Sequence, residues 1–374
     1  MHRIKITFFF CFAFLLNAIS GFGQYQILSE KATISLLTCD SGNELYSLFG
    51  HTALRVNDPG NGIDHVYNYG YFDFRTPNFY LKFVKGDLQY FAAVDQFESF
   101  KASYIDENRG VYEQVLNLTT SQKQKIFDQL NAVLSSEQRF YTYKFIDKNC
   151  TTMVADVLNT TISNPLSTKI KDAEKTDRTI LYGYIKSHFY ENLGICILFG
   201  AKTDKMFDHV FLPLQLMESA SVTKNNNQLL VSETKTINEQ NAAASEFSWW
   251  NNFYTYLLFF VLIIVIPKKS VGLGYLAFAG ILGIFLFCVG FYSLHKELSE
   301  NYNVMLFNPL LLLLVFFDLK KQRNLAVKTA YLSLGILLIY SIILFNKAHF
   351  ALFAPMIIAH AILLRRIVKQ NQVK

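Results

Sequence analysis

Five apolar segments close this sequence, and a water-soluble fold does not accommodate them all. They run over about 249–267, 271–294, 304–317, 327–345 and 349–364. Several approach the roughly 20 residues that carry a helix across about 30 Å of hydrocarbon, although the third and fifth are short. The connecting loops predict an orientation. Lys268, Lys269, Lys320, Lys321, Arg323, Lys328, Arg365, Arg366, Lys369 and Lys374 fall on one side, against Lys296 and Lys347 on the other, which puts the C-terminus in the cytoplasm. Trp249, Trp250, Tyr254 and Tyr256 suit an interfacial belt at the outer end of the first span.

The other end of the chain asks for the same arrangement independently. His2, Arg3 and Lys5 precede the run "ITFFFCFAFLLNAIS", and Gly21 and Gly23 follow it. This reads as a secretory signal peptide over 1–23. Cys11 lies inside the apolar run rather than at the cleavage point, which argues against a lipoprotein signal. Residues 24–225 are then an exported domain, 226–248 a polar linker, and 249–374 the membrane domain. The formal charge of +6 is misleading. Residues 24–248 carry 21 Lys+Arg against 26 Asp+Glu, and the basic excess sits in the loops of the membrane part. A nucleic-acid partner is excluded on that distribution.

Within the exported part, "KATISLLTC", "HTALRVN" and "DHVYNYGYFDF" have β-branched and aromatic character, and the turn cluster "NDPGNGI" makes a hairpin of the last two. "TTSQKQKIFDQLNAVLSS" reads as a helix capped by Thr120 or Ser121, with Ile126, Leu130, Val133 and Leu134 on one face. "NCTTMVADVLN" is a second helix with Met153, Val154, Val157 and Leu158 as its stripe, and Cys150 shares that inward face. The class is α+β. The stretch "TKNNNQLLVSETKTINEQNAAASEF" reads as a tether or a loosely held edge.

Cys150 is the one residue whose placement suggests chemistry. A helix N-terminus and a nearby imidazole are the usual means of lowering a thiol pKa, and Cys150 meets the first condition. Eight histidines are available for the second. Taken alone, a free cysteine is more often a small buried hydrophobe, and a histidine opening a strand, as His51 does, is more often structural.

Several stretches together shift that balance. The order of a strand histidine in "GHTALRV" and a helix-start cysteine in "NCTTMVADVL" resembles the circularly permuted papain relatives of the NlpC and lecithin:retinol acyltransferase type. More closely, "LLTCDSGNELYSLFGHTALRV", "VYNYGYFDF", "ENRGVYEQVLNLT", "YKFIDKNCTT", "LFGAKTD", "FLPLQLM" and "HKELSENYNVMLFNPLLLL" resemble, in order, the Lnb family of bacterial lipoprotein N-acyltransferases. "TCDSG", where a Pro-Gly or Ser-Gly pair is expected, and a shortened stretch after the cysteine helix depart from the pattern.

The resemblance implies a circularly permuted papain-like (NlpC-type) domain followed by a bundle of five transmembrane helices, held in the bacterial inner membrane with the catalytic domain in the periplasm. It implies a Cys150 nucleophile, a His51 base and a third polar group that orients the imidazole. If the hairpin turns near Gly60, residues whose numbers sum to about 120 face each other. Asn68 is then the first choice of orienter and His65 the second. Phospholipid would be the acyl donor and a diacylglyceryl lipoprotein the acceptor, with neither cofactor nor metal. Tyr46, Arg109 and Asn149, with Asp40 and Tyr143, flank these elements and are candidates for a cleft lining, although Asn149 also suits a helix cap and Arg109 an ion pair. His295, Asn301, Asn303 and Asn308 cluster at the outer ends of the second and third spans, where they would bond at the interface or hold lipid head groups. Cys39 and Cys196 are a possible disulfide pair in an oxidising compartment, and Cys288 lies inside a span. Two rival readings remain: a cysteine peptidase or amidase of peptidoglycan using the same pair with water as acceptor, and a non-catalytic envelope protein that binds lipid.

Overall fold

A computed structural model describes residues 26–240 and 248–372; the expected signal peptide lies outside the described residues. The exported part contains strands Thr33–Cys39 (β1), His51–Asp58 (β2), Ile63–Tyr71 (β3), Gln89–Gln96 (β4), Val111–Leu116 (β5), Phe140–Thr142 (β6), Lys224–Asn225 (β7), Gln228–Leu229 (β8) and Val231–Asn238 (β9). Its helices are Phe79–Lys85 (α1), Phe97–Asp106 (α2), Thr120–Leu134 (α3), Cys150–Asn159 (α4), Asp177–Tyr184 (α5), Phe189–Leu198 (α6) and Pro213–Val222 (α7). Seven strands form one antiparallel sheet in the order β6-β4-β3-β2-β1-β5-β9.

Strand alternation sends side chains to two faces. Ile34, Leu36, Leu54, Val56, Tyr67 and Tyr69 face one core together with α3, α4 and α7, including Ile126, Val154, Val157 and Leu216. Leu37, Cys39, Ala53 and Val66 face a smaller core closed by Phe97 and Phe100 of α2. α3 is capped by Thr119, one residue before the expected cap, in a reciprocal bond pair with Gln122.

Three expectations change. β2 and β3 pair so that facing residues sum to 121, with Ala53 opposite Asn68. A slip of one residue exchanges the two faces of a strand, so this register decides which side chains accompany His51. The stretch expected as linker is sheet from 231 to 238, because β9 pairs with β5 along its length. Its side chains are polar because an edge strand has one neighbour and a solvated face. Finally, α6 belongs by position to the exported part, yet its Leu193 and Cys196 lie in the membrane-domain core.

The C-terminal part is helical: Phe253–Val265 (α8), Lys269–Tyr292 (α9), Leu310–Leu319 (α10), Arg323–Leu344 (α11) and Phe350–Gln372 (α12). Among the described residues four segments are long and apolar enough to cross a membrane: Lys269–Tyr292, Lys296–Leu319, Arg323–Leu344 and Phe350–Gln372. The second of these reaches its length through 3-10 turns before α10. α8 has only 13 residues, short of a full crossing. Asn252 caps its start, and Ile266, ahead of Pro267, is extended as a pre-proline residue prefers. The last helix is longer than its apolar run because it continues through the basic residues Arg365, Arg366 and Lys369.

Candidate active site

Cys150 is the first residue of α4, and Asn149 fixes that helix start. The Asn149 side chain accepts from the N–H groups of Thr151 (2.9 Å) and Thr152 (3.0 Å), and its amide donates to the carbonyls of Phe145 (2.8 Å) and Phe211 (3.0 Å). With both ends of its side chain engaged and the residue buried, Asn149 is a cap rather than a cleft-lining residue.

His51 opens β2, two residues before Ala53, which faces Asn68. Asn68 therefore shares the His51 face; in a register summing to 120 that place would have gone to Tyr67. The Asn68 oxygen lies 3.0 Å from His51 Nε2. The Asn68 amide nitrogen donates to Val66 O (3.2 Å) and Asp95 Oδ2 (2.8 Å), and the Tyr71 hydroxyl donates to the same Asp95 oxygen (2.6 Å). Because the amide nitrogen faces two acceptors, its oxygen must face the imidazole. Nε2 then carries the proton, and Nδ1 is left for the thiol.

His51 and Cys150 are close enough for each to shift the other's titration. Burial pushes the Cys150 thiol up, but the His51 charge and hydrogen bond, the Thr52 N–H and the Thr151 hydroxyl outweigh it, leaving the thiol below its ordinary 9.0. Burial likewise pushes His51 down, and the Cys150 charge and hydrogen bond, with Asn68, hold it above its ordinary 6.5. Both shifts favour a thiolate–imidazolium pair. Gly70 lies against it. Its φ of +108° suits glycine, and a Cβ there would stand 3.7 Å from the Cys150 Cβ and 3.9 Å from the His51 Cε1.

His51, Asn68 and Gly70 also line a cavity of about 440 Å³. Tyr46, Phe72 and Phe74 give it an aromatic side, while Asp95, Ser99, Ser103 and Glu107 give it a polar one. Arg109 lines it as well, but its guanidinium is buried and engaged with Glu107 (2.8 Å), the Asp40 carbonyl (2.9 Å) and the Tyr104 ring (4.6 Å). Asp40 accepts from the Tyr112 hydroxyl at 3.0 Å, and Tyr143 stacks on Tyr90 with ring centroids 4.4 Å apart.

The other expected site residues lie elsewhere. His65 is three residues from Asn68, hence on the opposite face of β3, and its ring meets Gln96 at 3.1 Å; it does not reach His51. The His295 Nε2 meets the Phe83 carbonyl at 3.0 Å. The amides of Asn301 and Asn303 close the C-terminal carbonyls of α6, including Ile197 O at 2.9 Å from each. Asn308 donates to Met305 O at 3.3 Å. These residues join chain segments, and none lines the cavity. Cys39 and Cys196 occupy separate cores and, like Cys150 and Cys288, are free. Asp95 escaped the sequence reading. Its signal was an acid interrupting the apolar strand "FAAVDQF", and its meaning depends on the β3–β4 pairing.

Known families match both parts of this chain. Residues 22–182, which contain His51, Asn68, Asp95 and Cys150, match the Lnb N-terminal periplasmic domain, and residues 268–372 match the Lnb transmembrane domain. No curated protein and no solved structure matches the chain. With a periplasmic domain and a transmembrane domain of one type in one chain, the protein belongs to the Lnb family.

Proposed function

We propose that this protein is a lipoprotein N-acyltransferase of the bacterial inner membrane that works through a Cys150 thioester on a papain-like, circularly permuted domain. The observation that carries the reading is the Cys150–His51–Asn68 arrangement in a chain with both Lnb domains. A phospholipid donates the acyl chain, and the acceptor is the α-amino group of a diacylglyceryl-cysteine at a lipoprotein N-terminus.

In the first half-reaction the Cys150 thiolate attacks the ester carbonyl carbon. The Asn149 side chain takes the N–H groups of Thr151 and Thr152, which leaves the Cys150 N–H at the helix start to stabilise the oxyanion. The imidazolium of His51 gives its proton to the departing glycerol oxygen. The thioester forms, the ester bond breaks, and a lysophospholipid leaves.

In the second half-reaction the lipoprotein amine, with an ordinary pKa of about 8 and so partly neutral, attacks the thioester carbonyl. His51 accepts the amine proton as the amide forms, and the thiolate departs to regenerate the pair. Both half-reactions use the same two side chains with the proton returned to His51. The acceptor and donor each carry acyl chains, which suits an enzyme held in a bilayer better than a wall peptidase.

Mass spectrometry of lipoprotein N-termini from cells carrying Cys150→Ala tests the proposal. Loss of the N-linked acyl chain, with the diacylglyceryl group retained, is expected. Unchanged N-acylation in those cells would sink it.

A further inference from the structure

One short helix belongs to the exported domain and touches the membrane domain. α1 ends at Gly86, whose φ is +75° and where a Cβ would lie 2.9 Å from the His295 ring, so only glycine allows this approach. Three bonds tie the end of α1 to the segment that leaves α9. Ser293 Oγ donates to Val84 O (2.7 Å), the Leu294 N–H donates to Lys85 O (2.7 Å), and His295 Nε2 meets Phe83 O (3.0 Å). Lys85 Nζ also lies 5.9 Å from the ring of Tyr292, the last residue of that span. α1 is thereby fixed at the level where the chain leaves the hydrocarbon.

This helix has no fully buried residue. Tyr80 is 76% and Leu81 71% exposed, against 80% for Phe291 near the outer end of α9. Adjacent exposed apolar side chains in such a place mark a surface that meets something apolar. The surface also continues inward. The Phe79 ring lies 5.0 Å from Phe74 and 5.7 Å from Phe72, and those two rings are 4.8 Å apart. Phe72 and Phe74 line the cavity shared with His51 and Asn68. Lys82 adds positive charge in the last turn, next to a Lys85 that pairs with Asp87, which suits lipid phosphates at an interface.

We propose that α1 and the Phe72–Phe74 turn form a lipid-access ramp. Tyr80, Leu81 and Phe83 rest at the boundary between head groups and acyl chains of the outer leaflet. One phospholipid chain passes over Phe79, Phe74 and Phe72 to the cavity beside His51. The fate of that chain rests on the acyl transfer proposed above; the membrane contact does not. A bilayer is favoured over a protein partner because the surface is fixed to the outer end of a membrane span.

The full-length protein in vesicles of phosphatidylethanolamine and phosphatidylglycerol tests this in two ways. First, the photo-reactive p-benzoylphenylalanine replaces Tyr80, with and without Cys150→Ala. A phospholipid adduct is expected in both backgrounds, whereas adducts to protein alone, or none, would overturn the ramp. Second, Tyr80→Ser combined with Leu81→Ser is compared with the unsubstituted protein for Cys150 acylation by vesicle phospholipid and by a short-chain soluble ester. The ratio of the two rates falls by about tenfold if a Leu-sized apolar contact with lipid is lost; an unchanged ratio contradicts the proposal. If neither donor acylates the unsubstituted protein, the acyl-transfer reading fails, and the cross-link alone decides on the membrane contact.

Discussion

The His51 ring is held by a chain of contacts that runs outward from the thiol. Asn68 meets Nε2, Asp95 holds the Asn68 amide, and Tyr71 holds Asp95. Each link fixes the orientation of the one before it. His51→Ala removes the charge and hydrogen bond that lower the Cys150 thiol. The pH profile of Cys150 alkylation by iodoacetamide is therefore expected to shift upward toward ordinary thiol behaviour, and acyl transfer to fall by about 10²–10⁴-fold. In the unsubstituted protein, alkylation of Cys150 sets in below the pH at which an ordinary thiol ionises, and the protonated His51 that acyl transfer uses persists above its ordinary 6.5. The two groups titrate as a pair.

Asp95 acts at one remove, as a positioning residue. Asp95→Ala frees the Asn68 amide to turn, with an expected loss of about tenfold in acylation rate, equivalent to one hydrogen bond, and an upward shift of the alkylation profile. Asp95→Asn keeps an acceptor and is expected to restore most of both. A loss of rate without movement of the profile would mean that Asp95 serves only the fold.

The elements that carry these side chains are held by local features. Asn149→Ala removes the Oδ1 acceptor shared by the Thr151 and Thr152 N–H groups and is expected to cost about 0.5–2 kcal/mol, read as a lowered thermal unfolding midpoint with slower acylation. Gly70→Ala places a side chain at φ +108°, in a region that costs about 1–2 kcal/mol for other residues, and fills space beside both reactive groups. Much of this was legible in the sequence. The strand that starts at His51 has strand-forming residues, the helix after Asn149 has a clear hydrophobic period, and the cap residue stands where a cap belongs. The exact pairing was not legible, because "NDPGNGI" admits neighbouring turns and only side-chain packing chooses among them. β9 was legible only as one of two alternatives, a tether or a loosely held edge. A polar edge strand has no apolar alternation, and its partner β5 lies more than 100 residues earlier. Asp95 depends on that same non-local pairing.

At the scale of the whole molecule the two parts interlock. Arg178 of α5 donates to the carbonyls of Phe199 (2.9 Å) and Gly200 (2.7 Å) and pairs with Asp204 (2.7 Å), which also binds Lys347 (2.7 Å) of the membrane part. The Ile146 N–H, four residues before Cys150, donates to Glu297 at 3.0 Å. A fragment that ends at residue 240 would expose Leu193, Cys196 and the rest of the α6 face that membrane helices now cover. It is expected to aggregate or to require detergent on size-exclusion chromatography, whereas the full chain in detergent elutes as a defined species. The sequence placed the first part outside the membrane, as its match to a periplasmic domain has it, but α6 lay hidden because its ten residues, Glu191 and Asn192 among them, are too few to announce a membrane contact.

In the proposed reaction Cys150 carries the acyl chain between donor and acceptor. The full-length protein, incubated with phospholipid vesicles in the absence of lipoprotein and then digested, gives the direct reading. The peptide containing Cys150 is predicted to carry a fatty acyl group that hydroxylamine removes and that added lipoprotein discharges to its N-terminus. Transfer to the lipoprotein with Cys150 never acylated would contradict the account.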